Sequence, residues 1–199
     1  MLCFAFSFCF WFTPENVLLF IDEAYHEFAL HAGGATALEI DKNRKGPWIL
    51  TRTFSKAYAL AGLRLGYAIC SSEEPVNALR LTTSTFNVNG IAEAAVMAAL
   101  DDAGYTKFIL DDNEREMDRI KAKCKNLRLN YMDSVTNFIS IDVGIPNGEV
   151  VKAMRDRGIR ISTPGYESNG TFNRVSTGLS DDTTAFLLAL EEVLQELAS

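Results

Sequence analysis

"TRTFSKAYALAGLRLGY" (residues 51–67) places a lysine, Lys56, between a hydroxyl-rich strand end and a Gly-Leu-Arg, with apolar residues on both sides. A lysine at the end of a buried strand is costly as a free ammonium, because desolvation disfavours the charge. A lysine made less basic in this way can act as a Schiff-base nucleophile. Taken alone, Lys56 reads equally as a solvated lysine on the first turn of a helix, where most lysines sit. Its neighbours change the weighing. Thr53 and Ser55 supply hydroxyls at alternate positions leading into Lys56, and Arg64 follows after "ALAGL". Two hydroxyls, the backbone N–H groups of a helix start and a guanidinium together make a phosphate cradle.

Working outward, "VLLFID" (17–22), "PWILTRTF" (47–54) and "LGYAICS" (65–71) are short apolar runs of the kind that form buried parallel strands. Asp22 ends the first of them, at the carboxyl edge of the sheet where α/β folds bind ligands. A carboxylate there can keep a pyridine nitrogen protonated, and the protonated ring becomes an electron sink. "NGIAEAAVMAAL" (89–100) is apolar almost all round and is expected to be a buried helix. Residues 105–127 form a long, charged helix whose apolar stripe is Phe108, Ile109, Met117, Ile120, Cys124 and Leu127.

Beyond that helix the texture changes. "TNFISIDV" (136–143) alternates as a strand, and residues 147–158 read as a helix capped by Asn147 and stopped by Gly158. "IRIS" and "NRVST" follow as short strands, and Ser180 is expected to cap a closing helix with early aspartates. The fold class is α/β, with a compact α+β unit at the C-terminal end. The boundary falls in the long helix, giving units 1–111 and 112–199.

Composition narrows the function classes. A formal charge of −7 opposes a nucleic-acid or anionic-membrane surface, which needs clustered Lys and Arg, and points to small-molecule chemistry. Cys3, Cys9, Cys70 and Cys124 form no C-x-x-C pair, and with only His26 and His31 available no zinc spacing appears. Free thiols in a reducing cytoplasm are the expectation. Asp101-Asp102 and Asp111-Asp112 read as solvated helix caps rather than metal carboxylates, and His26 reads as a bystander. "MLCFAFSFCFWF" (1–12) lacks the basic start and small-residue cleavage site of a signal peptide, and is shorter than the ~20 residues a membrane span needs. It reads as a buried strand or a poorly packed end.

"DEAY" (22–25), "TFSKAYALAGLRLGY" (53–67), "FNVNGIAEAAVMAAL" (86–100), "TNFISID" (136–142) and "RVSTG" (174–178) resemble the fold-type-I pyridoxal-phosphate aminotransferases, and most closely the histidinol-phosphate aminotransferase family. The resemblance runs from about residue 14 to the C-terminus. It implies the C-terminal part of a three-layer large domain followed by a small α+β domain. It also implies pyridoxal 5'-phosphate as cofactor, an amino donor and a keto-acid acceptor as substrates, and a homodimer. By the same resemblance Lys56 matches the lysine that bonds the cofactor and moves the substrate proton, Asp22 the partner of the pyridinium nitrogen, and Tyr25 the donor to the phenolic oxygen. Ser55 and Arg64 match phosphate ligands, with Thr53 a helper, and Arg174 matches the arginine that grips the substrate's anionic group. The sequence departs from the pattern at Ser162, where a second arginine is usual; Arg160, two places earlier, is a substitute if that segment is a strand, and otherwise a surface arginine. Family members are longer, and the glycine-rich turn and ring-stacking aromatic they carry upstream have no counterpart here. The chain is therefore expected to be a C-terminal portion that binds pyridoxal phosphate weakly. A lyase or decarboxylase on the same scaffold, of the threonine-phosphate decarboxylase type, and a truncated chain without activity are the alternatives.

Overall fold

The structure, a computed structural model, describes residues 13–40, 44–164 and 170–197, so the reading of residues 1–12 lies outside the described residues. Two compact units divide the chain, Met1–Leu110 and Asp111–Ser199.

In the first unit, strands β1 (Leu19–Asp22), β2 (Trp48–Thr53) and β3 (Gly66–Cys70) form a sheet in that order. β1 and β2 run parallel, with Asp22 opposite Thr51, after a crossover that contains helices α1 (His26–His31) and α2 (Ala37–Ile40). Ile21 and Leu50 bury their side chains in its core. β3 departs from expectation in two ways: it is antiparallel to β2, and its first residues are exposed. The cause is the connection, because residues 54–65 hold only a 3-10 turn at Ala61–Leu63 and no crossover helix that would return the chain in parallel. Gly66, opposite Thr53, is required at the start of β3, since a Cβ there would stand 2.7 Å from the Arg52 carbonyl oxygen.

Helices α3 (Glu73–Thr82) and α4 (Gly90–Asp101) follow. Asn89 caps α4, its side-chain oxygen accepting from the N–H of Ala92 at 2.8 Å. The expected burial of α4 is corrected: Ala92 and Val96 are buried, but Ile91 is 76% and Met97 58% exposed. All-round apolarity makes burial favourable only where elements flank the helix on several sides, and the described residues of this unit cover one.

Helix α5 (Ala103–Asn126) contains the division between the units. Met117, Ile120 and Cys124 enter the core of the second unit as the stripe predicts, whereas Phe108 is 55% exposed and Leu110 is the buried residue in the first. Asp102 does receive the N–H of Tyr105, but Asp111 and Asp112 lie inside α5 rather than at its end, Asp112 pairing with Arg115.

The second unit is the antiparallel sheet β4 (Asn130–Met132), β5 (Phe138–Asp142), β6 (Phe172–Ser176), joined by α6 (Asn147–Asp156) and closed by α7 (Ser180–Leu197). β4 was not legible from pattern. Ile139, Ile141, Val150, Met154, Leu190 and Val193 make its core, each large aliphatic contributing roughly 1.5–3 kcal/mol by burial. Gly158 stops α6 with φ +77° as expected. Asn147, however, is the first helical residue rather than the cap: it is buried, and its backbone N–H donates to the Gly170 carbonyl at 2.9 Å. "IRIS" is not a strand; only Ser162 bridges to Arg174. Ser180 is likewise inside α7, while Asp182 accepts the N–H of Leu179 at 3.3 Å, the half of a capping box that reaches backward.

Candidate functional site

Pleat geometry sorts the first unit's residues onto two faces. Residues opposite one another in a sheet share a face, as do residues two apart on a strand. Asp22, Thr51 and Thr53 thus stand on one face, and Arg52 stands on the other. Asp22 is exposed at the end of β1, with Oδ1 accepting the N–H of Ala24 at 3.0 Å.

Past the end of β2 the chain turns sharply. The Thr53 hydroxyl donates to Ser55 Oγ at 2.9 Å and accepts the Ser55 backbone N–H at 3.1 Å, which closes a local hydroxyl turn and brings the two hydroxyls together. Lys56 follows, half-buried, with its ammonium 5.3 Å from the centre of the Tyr25 ring, within cation–π range. The neighbouring Ala57 is fully buried among Phe28 and Leu110, which anchors the turn. Two non-glycine residues of the loop that follows Lys56, Ala59 (φ 57°) and Arg64 (φ 55°), adopt the left-handed region, a conformation costly for residues with a side chain. Arg64 is exposed, and its guanidinium donates to the Ala61 carbonyl at 2.6 Å. The fold therefore brings Tyr25 to Lys56 and Thr53 to Ser55, and puts Asp22 on the face that Thr53 shares.

Residues that pattern reading passed over lie on the opposite face. Glu23, 8% exposed, accepts from Arg52 Nε at 2.9 Å and from the backbone N–H of Ala37 at 2.7 Å. Arg52 also donates to Thr36 Oγ1 at 2.7 Å. This buried pair clamps the end of β1 to β2 directly behind Asp22. Its one signal in the sequence is the alternation of "TRT", which turns Arg52 away from its two threonines. His26 stands 3.4 Å from Glu23; burial, with the Arg52 charge behind it, holds its imidazole below the usual value.

In the second unit, Arg174 lies on β6 opposite Ser140, and its guanidinium stacks on the Phe138 ring with 3.8 Å between the guanidinium carbon and the ring centre. Arg160 is exposed and lies outside any strand, so the face argument linking it to Ser162 does not apply; it lines a cleft of about 510 Å³ with Arg157, Ile161 and Leu188. Among the described residues no group of three or more His, Cys, Asp or Glu could hold a metal ion, and no helix is long and apolar enough to cross a membrane.

The first unit thus offers an amine beside a phenol ring, a pair of bonded hydroxyls one residue before it and an exposed carboxylate at the end of β1, donor types compatible with a pyridoxal-phosphate site.

A family model for aminotransferase class I and II matches residues 11–189. The chain is 36% identical to histidinol-phosphate aminotransferase 2 of Methylococcus capsulatus over 181 residues, covering 91% of this chain and 48% of that protein. It is 33% identical to the histidinol-phosphate aminotransferase of a Geobacillus species over 184 residues, covering 92% and 50%. The crystal structure of histidinol-phosphate aminotransferase from Sinorhizobium meliloti, in complex with pyridoxal-5'-phosphate, matches with a TM-score of 0.81 at 33% identity over 92% of this chain and 50% of that one. The chain spans about half the length of the curated relatives it matches.

Proposed function

The chain belongs to the class I and II aminotransferases, with their mixed α/β fold, and from that premise we propose that it serves a pyridoxal-phosphate-dependent transfer of an amino group. The amino donor is a compound such as histidinol phosphate and the acceptor a keto acid such as 2-oxoglutarate, in histidine biosynthesis. The observation that carries this reading is the half-buried Lys56 beside the Tyr25 ring, one residue after the Thr53–Ser55 hydroxyl pair.

Pyridoxal phosphate, when bound, supplies the electron sink for the bond broken at the substrate's α-carbon. The chain's own residues do the rest. Ser55, Thr53 and Arg64 hold the phosphate. Asp22 keeps the ring nitrogen protonated by charge. Tyr25 donates its phenol to the ring oxygen. Lys56 would hold the cofactor through its amine and would move the substrate's α-proton, taking it as base and returning it as acid. Arg174 takes the substrate's anionic group, with Arg160 as a weaker candidate because of its exposure. In this reading residues 1–111 are part of the large cofactor-binding domain and 112–199 the small domain, the protein acts as a cytoplasmic homodimer, and neither nucleic acid nor membrane is a partner. Relatives named as aminotransferases favour this over a decarboxylase.

The test is titration with pyridoxal phosphate followed by borohydride reduction. A visible absorbance band fixed onto the peptide containing Lys56, and lost in Lys56→Ala, is the expected result; label on another lysine would refute the assignment. Amino transfer from histidinol phosphate to 2-oxoglutarate then tests the reaction itself.

A further inference from the structure

Glu23 follows Asp22 directly and holds the end of β1 from the opposite face of the sheet. Its backbone N–H donates to the Thr51 carbonyl at 2.9 Å, and its own carbonyl accepts the N–H of His26 at 3.0 Å, which fixes both ends of the turn after the strand. Its buried carboxylate accepts from Arg52 Nε at 2.9 Å and from the Ala37 N–H at 2.7 Å, with a second Arg52 nitrogen at 2.8 Å and Thr36 Oγ1 and His26 Nδ1 each at 3.4 Å. Arg52 reaches on to Thr36 Oγ1 at 2.7 Å. One carboxylate therefore ties β1, β2 and the start of α2 together. Asp22, by contrast, is exposed, and its Oδ1 is held by the N–H of Ala24 at 3.0 Å, a bond inside the turn that Glu23 fixes. The place of the Asp22 carboxylate is thus set from behind, by side chains on the other face.

A carboxylate that stabilises a facing cation acts through distance, and a charge placed in advance needs no reorganisation when the ligand arrives. We infer that Glu23 and Arg52 are positioning residues for the cofactor: the pair holds the Asp22 carboxylate at the distance from which its charge keeps the ring nitrogen protonated. This rests on the reading of Asp22 as the partner of that nitrogen. The chemical role is separable from stability. A pair that only stabilised the sheet would leave the basicity of the ring nitrogen unchanged in every folded molecule.

The experiment binds pyridoxal phosphate, isotopically labelled at its ring nitrogen, to the full 199-residue chain and follows the NMR shift of that nitrogen against pH. The samples are the parent chain, Arg52→Met, the double variant Glu23→Gln/Arg52→Met and Asp22→Asn, with folding checked by circular dichroism. An opposite charge moved back from about 3 Å to about 4 Å, at an effective dielectric of about 20, lowers the pKa of the cation it faces by about one unit. A fall of about one unit is expected in Arg52→Met and in the double variant, and a larger fall in Asp22→Asn. The double variant separates position from stability, because glutamine keeps an acceptor for the Ala37 N–H and leaves no stranded charge. If Arg52→Met or the double variant titrates like the parent while Asp22→Asn does not, the positioning role is overturned and that of Asp22 stands. A double variant that is unfolded, or folded but unable to bind the cofactor, overturns it too, since the pair would then shape the fold or the whole site rather than one carboxylate. No cofactor binding by the parent, or an unchanged titration in Asp22→Asn, overturns the reading of Asp22 and the inference with it.

Discussion

Replacing Arg52 by methionine tests whether the Glu23–Arg52 clamp holds the strand end that carries Asp22. Both side chains are largely buried, with 11% and 6% of their surface exposed, so solvent screens the pair weakly. The substitution removes the Arg52 Nε bond at 2.9 Å and the charge contact at 2.8 Å, leaving the Glu23 carboxylate with the Ala37 N–H, Thr36 and the more distant His26 imidazole. Breaking a buried pair from one side costs about 3–5 kcal/mol, and the methionine stem returns part of that by filling the space, so a loss of about 3 kcal/mol is expected. Trp48 lies on β2 and the second unit's sequence holds no tryptophan, so a change of Trp48 fluorescence in a urea titration reports on the first unit. With a slope of about 1–1.5 kcal/mol per molar, the midpoint falls by about 2–3 M. The double variant Glu23→Gln/Arg52→Met should regain at least half of the loss, because glutamine keeps an acceptor for Ala37 without a stranded charge. A midpoint shift below about 0.5 M, or a double variant no more stable than the single, would refute the clamp.

Asp22→Asn should retain cofactor binding within about tenfold while amino transfer falls by about 100- to 1000-fold, as when one charge-stabilising group is removed; unchanged turnover in a steady-state assay would rule out its role at the ring nitrogen. Burial raises the Glu116 pKa, but Thr183 first, then Arg119 and Arg115, favour its carboxylate more, and it is held below the ordinary 4.5. A lowered folded value stabilises above the ordinary one and is lost as pH falls through it, so circular dichroism should show the parent's second unit losing stability below about pH 4.5, and Glu116→Gln following a flatter profile. Burial pushes the Cys124 thiol up to about 11, so iodoacetamide at pH 8 should label the peptide of half-buried Cys70 and leave that of Cys124 unlabelled until urea is added; equal labelling would contradict the buried thiol.

The sequence by itself determined what local chemistry and periodicity can carry: strands ending at Asp22 and Thr53, the lysine just beyond, the long helix with Met117, Ile120 and Cys124 inward, and the Gly158 stop. Apolar runs, alternation and the "SKAYALAGLRLG" motif are properties of neighbouring residues, and they read directly. Only the tertiary structure decided what depends on partners distant in the chain. The direction of β3 followed from a connection too poor in helix to cross over, and the exposure of α4 from how much of it the neighbouring elements cover. Asn147 and Ser180 left their capping roles for the first turns of their helices, where their side chains meet groups far away in sequence, the Phe172 carbonyl and Arg119. Glu23 with Arg52, and Phe138 under Arg174, are pairs made by strand register across 29 and 36 positions, and a pattern read along one strand holds no information about which residue lies opposite on the next.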